Sequence, residues 1–327
     1  MRINNIPSPT WRWLKLNYTE FDTGVEIKKS SGSNKKAMKQ LAEIPTGLGE
    51  EVAGYFSTGD IKVIMGDDAK LEYRLSAKNE AHTVVISVPD NGSATVTMMI
   101  SGDASGLFGL RTIYAVGKGA TLNLSQVFLG GKNARVLNDL GGAVDDEGCF
   151  NLQQIFLDGA EIYAGDYTYL HGRKSSFNCD IAYRTKGSGI LDMNYVADHT
   201  GKKSSCDIKV NGVLFDSARK LFRGTIDFKR GCAGATGAEI EDVLLMNEGV
   251  RNQTIPVILC REEDVEGAHG ATIGKLDEGL LFYMTSRGMS LDDIYKMMST
   301  ARIDALRRRL YDRDAAALVG EYLNVGE

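Results

Sequence analysis

Val265-Glu266-Gly267-Ala268-His269-Gly270-Ala271-Thr272-Ile273-Gly274-Lys275-Leu276-Asp277-Glu278 is the stretch in which the chain changes its period. Before it, short runs alternate apolar and polar residues. After Gly274 the apolar residues recur at helical spacing. A histidine set among glycines and alanines is left uncrowded, and the glycines permit backbone shapes closed to other residues. Nine residues upstream of His269 stands Cys260, at the end of the apolar run Ile255-Pro256-Val257-Ile258-Leu259. A soft sulfur and an imidazole this close in sequence suit thiolate–metal or sulfur chemistry.

Upstream, from about residue 80 to 260, the alternation is that of half-buried strands. Thr83-Val84-Val85-Ile86-Ser87-Val88 is one run and Ala94 to Ile100 another; Thr121 to Leu129, Phe150 to Leu157 and Glu161 to Leu170 follow. Phe177, Cys179, Ile181 and Tyr183 share one face of the next. So do Leu191, Met193 and Tyr195, and then Cys206, Ile208 and Val210. Asp158-Gly159, Lys186-Gly187-Ser188-Gly189 and Asn211-Gly212 read as the turns between them. The pattern predicts a mainly β core and leaves sandwich, barrel and solenoid open.

Downstream, Asp277 is placed to cap a helix that ends near Gly288. Ser290-Leu291-Asp292-Asp293 resembles a capping box with Asp for Glu. Ile294, Met297, Met298 and Ala301 follow the i, i+3, i+4, i+7 rule, and a last helix runs from about Arg313 to Leu323. The tail reads as a small helical cap packed on the end of the β core. At the other end, Trp11 and Trp13 read as anchors of an arm, and the basic stretch Lys28 to Lys39 as a solvated surface segment.

The bulk numbers narrow the class. The 327 residues carry a net charge of −5, against the Lys and Arg surplus that nucleic acid demands. No run nears the ~18 apolar residues of a membrane span. Met1-Arg2-Ile3-Asn4-Asn5-Ile6-Pro7 lacks the apolar core of a signal peptide, so a cytoplasmic protein is expected. The five cysteines (Cys149, Cys179, Cys206, Cys232, Cys260) are scattered without a C-x-x-C pair, which argues against both a disulfide framework and a structural zinc site.

The Gly-Ala-His-Gly-Ala-Thr-Ile-Gly-Lys-Leu-Asp-Glu wording, Ser286-Arg287-Gly288 and the helical tail resemble the SufB/SufD family, scaffold subunits of the SUF system that builds iron–sulfur clusters. A Gly-Lys turn at Gly201-Lys202 followed by Phe222-Arg223-Gly224 extends the likeness, which covers roughly residues 195 to 310. The resemblance implies a right-handed parallel β-helix at 79–274, between a mixed segment at 1–78 and a C-terminal helical domain at 275–327. It implies a scaffold without an ATPase of its own. A SufC-like ABC ATPase would bind the C-terminal helices, through Ile294, Met297 and Met298, and ATP would enter only through that partner. A sulfur donor and a second scaffold chain complete the implied partners, with a transient iron–sulfur cluster as cargo. The second chain would be another copy or a SufB-like subunit. The motif wording is SufD-like, whereas Cys260 is the SufB-like feature, so one chain suits both halves of a symmetric dimer.

The resemblance makes Cys260 and His269 the cluster-assembly residues, with His269 as iron ligand or proton acceptor. Each has a plainer reading: a packed core thiol at a strand end, and a structural histidine. Cys179 and Cys206 are candidates for sulfur relay, and equally for inert interior thiols. Cys232, in a glycine-rich setting, carries no ligand signal. His199-Thr200-Gly201-Lys202-Lys203-Ser204 is not a P-loop: Val196 holds the first glycine position and Lys203 follows Lys202. Asp145-Asp146-Glu147 reads as a solvated loop before a cation site. Two other readings compete, a SufD-type structural partner that never holds iron and a β-helix enzyme acting on polysaccharide.

Overall fold

A computed structural model describes residues 1–8, 12–22, 46–56 and 60–325. The expected basic surface segment at 28–39 and Trp11 lie outside the described residues. Trp13 is 78% exposed and anchors nothing.

Two short strands, β1 (Arg2–Ile3) and β2 (Thr19–Glu20), pair antiparallel, and a short helix, α1 (Glu50–Phe56), follows. The rest is a parallel β-solenoid of about 7 turns, and strands hold 53% of the residues. One sheet contains β3 (Asp60–Met65), β5 (Glu80–Val88), β7 (Leu107–Val116), β9 (Arg135–Val144), β11 (Glu161–Leu170), β13 (Ile190–His199), β15 (Arg219–Phe228) and β17 (Arg251–Cys260). The other contains β4 (Ala69–Arg74), β6 (Ser93–Gly102), β8 (Thr121–Gly130), β10 (Cys149–Leu157), β12 (Ser176–Thr185), β14 (Ser205–Leu214), β16 (Ala235–Leu245) and β18 (Val265–Gly274). Consecutive strands alternate between sheets, so the chain coils, and each strand bonds to those one turn before and after. The coil begins at Asp60, ahead of the boundary near 79 expected from the pattern.

The alternation in sequence becomes an inside and an outside. Leu122, Phe150 and Phe177 lie opposite one another in successive turns, and the Phe150 and Phe177 rings stack 5.4 Å apart. The sequence faces Phe177-Cys179-Ile181-Tyr183, Leu191-Met193-Tyr195 and Cys206-Ile208-Val210 all join this continuous interior. Asn211-Gly212 is not a turn but part of β14. Gly212 faces Tyr183 in register, and a Cβ there would sit 1.8 Å from the ring carbon Cζ. The glycine makes room for a ring rather than for a bend.

Outward faces are covered as well. On the odd-numbered sheet, Ile3, Phe21, Leu48, Val52, Tyr55 and Phe56 pack on Leu107, Leu137 and Tyr163. A buried polar network fixes that strap. Asn4 Nδ2 donates to Asp192 Oδ1 at 2.6 Å, and the Leu48 N–H donates to Asp139 Oδ1 at 2.9 Å. Arg223 pairs with Asp192 and donates from Nε to the Leu16 carbonyl at 2.8 Å. On the even-numbered sheet the cover is helical: α2 (Glu278–Ser286), α3 (Leu291–Arg307) and α4 (Arg313–Val325).

The capping signals read as expected. Asp277 accepts from the Leu280 N–H at 2.8 Å, and Ser290 from the Asp293 N–H at 3.1 Å. The docking of the tail differs from the expectation. Ile303, Leu306, Leu310, Ala315, Val319 and Leu323 lie along the flank, on Met99, Val127, Leu129, Ile155, Leu157 and Ala182, not on the end. The reason is that these strands are apolar on both faces, and an outward row of Val, Leu and Ile needs cover.

Candidate functional site

The sheets end at β17 and β18, beyond which no described strand follows. In this last turn the burial pattern inverts. All of β18 but its two end residues is exposed, whereas β13 is buried everywhere but its first residue. A Cβ on Gly267 would meet the Phe228 ring and Ile258 at 3.1 and 3.2 Å, so Gly267 faces the interior side. His269, two residues on, takes the same side. In β17, Ile258 packs against the interior, and Cys260 follows it in phase, opposite buried Phe228. Cys260 and His269 therefore hold inward register on the last strands of two different sheets, yet both are exposed, because no turn lies above them. The Cys260 thiol donates to the Glu262 carbonyl at 3.0 Å. Among the described residues no three His, Cys, Asp or Glu side chains converge as a metal-ligand set.

Directly beneath is a charged chamber that the pattern reading missed. Glu239 lies opposite His269 and Glu241 opposite Ala271. Both carboxylates are buried, as is Lys220, which ion-pairs with Glu241. Lys220 Nζ also donates to Thr254 Oγ1 at 3.1 Å and to the Gln253 carbonyl at 3.3 Å. Thr254 donates in turn to Glu241. A Cβ on Gly224 would lie 2.1 Å from Glu239 Oε2, so only glycine leaves space for that carboxyl. Burial, reinforced by Glu241, pushes the Glu239 carboxyl up to about 8. Burial likewise draws the Lys220 ammonium down, against the pull of Glu241. The signal lay in Gly237-Ala238-Glu239-Ile240-Glu241. Its alternation is real but inverted, with the charges inside and Ile240 outside at 52% exposure.

The other sequence candidates are scattered. Cys179 and Cys206 are interior and lie opposite Ile208 and Phe177 respectively, not opposite each other. Burial holds both as neutral thiols, Cys206 pushed up to about 12 and Cys179 well above the ordinary range with Asp166 adding to the effect. Neutral thiols are poor nucleophiles. Cys232 is buried too, its thiol raised to about 11 by burial and then by Glu262, with Cys260 adding a smaller effect. Its corner stacks on the one holding Glu262, through Gly231 N–H to Glu262 Oε2 at 2.8 Å. Cys232 is thus nearer to Cys260 than its glycine-rich setting implies.

Ile294 is fully buried against Val213, Leu244 and Met246, with Met298 packed alongside. Met297 points outward and joins Leu280, Phe282, Tyr283 and Leu291 as exposed apolar residues of the helices. Asp145, Asp146 and Glu147 form a corner. Asp146 Oδ1 accepts from the Arg173 N–H at 2.6 Å, and Glu147 pairs with Arg173 at 2.7 Å. His199 ends β13 and is buried, its Nδ1 against Ser204 Oγ at 2.8 Å. No helix among the described residues is long and apolar enough to cross a membrane.

The fold alone, a parallel solenoid with flanking helices, does not assign a role. In comparison with known families, the family described as "SUF system FeS cluster assembly, SufBD core domain" matches residues 72–302. The chain belongs to that SufBD family of iron–sulfur cluster assembly proteins. It is 32% identical over 100 residues to the iron–sulfur cluster assembly protein SufD of Bacillus subtilis, covering 31% of this chain and 23% of that one. It is 26% identical over 176 residues to SufD of Escherichia coli, covering 52% of this chain and 41% of the other. A SufBD family protein of Mycobacterium tuberculosis matches at 30% over 112 residues, 34% of this chain and 13% of its own. The matches span less than half the length of each of these relatives.

Proposed function

We propose that this chain is a scaffold subunit of a SUF-type complex and that a nascent iron–sulfur cluster assembles at its open last turn on Cys260 and His269. The observation that carries the reading is that both residues stand in inward register at the uncovered end of the stack. Thiolates suit iron–sulfur ligation, and a site short of protein ligands unloads easily. The open edges of β17 and β18 call for a partner strand. A second copy meeting it isologously would bring two 255–275 regions together, and a SufB-like chain would do so heterologously. A SufC-like ABC ATPase would dock on the exposed apolar residues of α2 and α3. ATP-driven closure would then move two scaffold chains through unequal affinity for two states. A sulfur donor would supply the sulfide. A SufD-type role without iron is the second reading, supported by the SufD relatives and by the lack of a converged ligand set among the described residues.

Anaerobic reconstitution with iron and sulfide separates the two. Visible absorption of a cluster is expected for the parent, most of it lost in Cys260→Ser and a more labile cluster in His269→Ala. A well-folded Cys260→Ser chain that loads like the parent removes the assignment. Docking is tested by Phe282→Asp rather than by truncation, since removing the helices would bare the even-numbered sheet. Undiminished ATPase co-purification with that variant removes the proposed docking surface.

A further inference from the structure

β13 and β15 carry a separate polar cluster on the outer face of the odd-numbered sheet. Ala197 and Ile226 belong to the interior, so Asp198, Thr225 and Asp227 point outward. They are buried all the same, at 6%, 0% and 2% exposure. Asp198 and Asp227 lie opposite one another on adjacent strands, and like charges so placed repel. Thr225 precedes Asp227 by two residues and shares its face.

The partners of this pair leave one side of it unused. The Tyr167 hydroxyl donates to Asp198 Oδ2. Lys229 Nζ stands 2.5 Å from Asp227 Oδ2 and 3.7 Å from Asp198 Oδ2. Both carboxylates are therefore engaged through Oδ2. Asp198 Oδ1, Asp227 Oδ1 and Thr225 Oγ1 are each buried without a hydrogen-bond partner. Buried polar atoms left so are rare in native folds, and three at neighbouring positions of one face point to a single shared partner. Two carboxylates against one ammonium leave an excess of negative charge. Burial pushes the Asp198 carboxyl up, against the Tyr167 hydroxyl and Lys229, and Asp227 adds to the rise. The free donors are all oxygens, the set that hard cations seek. Adjacent strands stand about 4.8 Å apart, a gap that two cation–oxygen bonds of about 2.4 Å span.

We propose that Asp198 Oδ1, Asp227 Oδ1 and Thr225 Oγ1 hold one hard metal cation on the outer face between β13 and β15. The site does not depend on the cluster reading. Two carboxylates and a hydroxyl make it, rather than three His, Cys, Asp or Glu side chains. A monovalent ion meets the excess charge outright. A divalent ion meets it once Lys229, whose side chain is 29% exposed, swings into water. Either ion would tie β13 to β15, whose Phe228 lies opposite Cys260, and would stabilise the folded chain by mass action.

Thermal unfolding of the full chain tests it. The protein is stripped with a chelator and held in tetramethylammonium chloride, which KCl, MgCl₂ or CaCl₂ then replaces at constant ionic strength. A saturable rise in melting temperature is expected with at least one of the three, and the preferred ion separates monovalent from divalent binding. These ions avoid thiolate and imidazole, so Cys260 and His269 would not imitate the effect. Asp227→Asn and the near-isosteric Thr225→Val should each weaken apparent affinity by roughly tenfold, one polar contact in free-energy terms. Lys229→Met should tighten it, because the ammonium competes for the same charge. Glu248→Gln, an exposed carboxylate elsewhere, should change nothing. Circular dichroism confirms that the variants fold. No rise above the tetramethylammonium reference with any of the three ions overturns the proposal. So does a rise undiminished in both Asp227→Asn and Thr225→Val, which would mean an adventitious ion only.

Discussion

Cys179 and Cys260 occupy the same kind of position: both sit on a strand of the solenoid with the side chain in inward register. They differ in what lies above them. Cys179 has a turn on each side and is 1% exposed, whereas Cys260 has a turn on one side only and is open to solvent. Register decides which way a side chain points, and rank in the stack decides whether that direction is core or surface. In a solenoid, chemistry at interior-facing positions belongs to the ends.

Thiol labelling sharpens this comparison most. In a Cys149→Ser background, since Cys149 is half-buried, Cys260 should react with a soluble disulfide reagent on the order of 10³-fold faster than Cys179 or Cys206. Those two react only through opening of the fold. Comparable rates, read by peptide mass spectrometry, would show that the stack breathes throughout.

Lys220→Met comes next. It leaves Glu241 buried and unpaired, and should cost roughly 3–5 kcal/mol by urea unfolding. A loss below 1 kcal/mol would mean that the chamber relaxes or admits water.

The glycines give a matched pair. Gly212→Ala drives a methyl into the Tyr183 ring and should cost about 3 kcal/mol. Gly270→Ala meets nothing within 4 Å and should stay within about 0.5 kcal/mol. Equal costs would erase the distinction between inner and last turns.

Taken per pH unit, the smallest effect is a pH slope. Glu239 is raised in the fold to about 8 from 4.5, so between those values the folded chain holds a proton that the unfolded chain releases. Its contribution to stability is therefore fully present below about pH 4.5 and is lost as pH rises toward 8. The slope is at most about 1.4 kcal/mol per pH unit. Glu239→Gln should flatten that part of the stability curve; an unchanged slope would show that Glu239 titrates normally.

The sequence made the β core legible because period-2 alternation survives in nearly every turn, from Thr83-Val84-Val85-Ile86-Ser87-Val88 onward. Helix capping at Asp277 and Ser290 was legible because those signals are local. Asn211-Gly212 misled because a turn dipeptide and a steric gap for a ring one turn away are spelled alike. The chamber of Lys220, Glu239 and Glu241 stayed hidden because alternation marks two faces without saying which is inside, and charges are ordinarily read as outside. The flank position of the tail was hidden because it depends on outward residues of β6 to β12, far from the tail in sequence. Cys260 and His269 could be picked out as a pair; that each ends a different sheet could not.

The N-terminal strap has a consequence for evolution. A coil whose turns touch only their neighbours can gain or lose a turn by duplication without redesign elsewhere. Here one segment is tied at the same time to Asp139 on β9, Asp192 on β13 and Arg223 on β15. Inserting a turn between β9 and β13 would pull those anchors apart by about 4.8 Å, one strand spacing. The strap therefore acts as a ruler: it fixes the number of turns across that part of the molecule, and length can vary freely only outside its span.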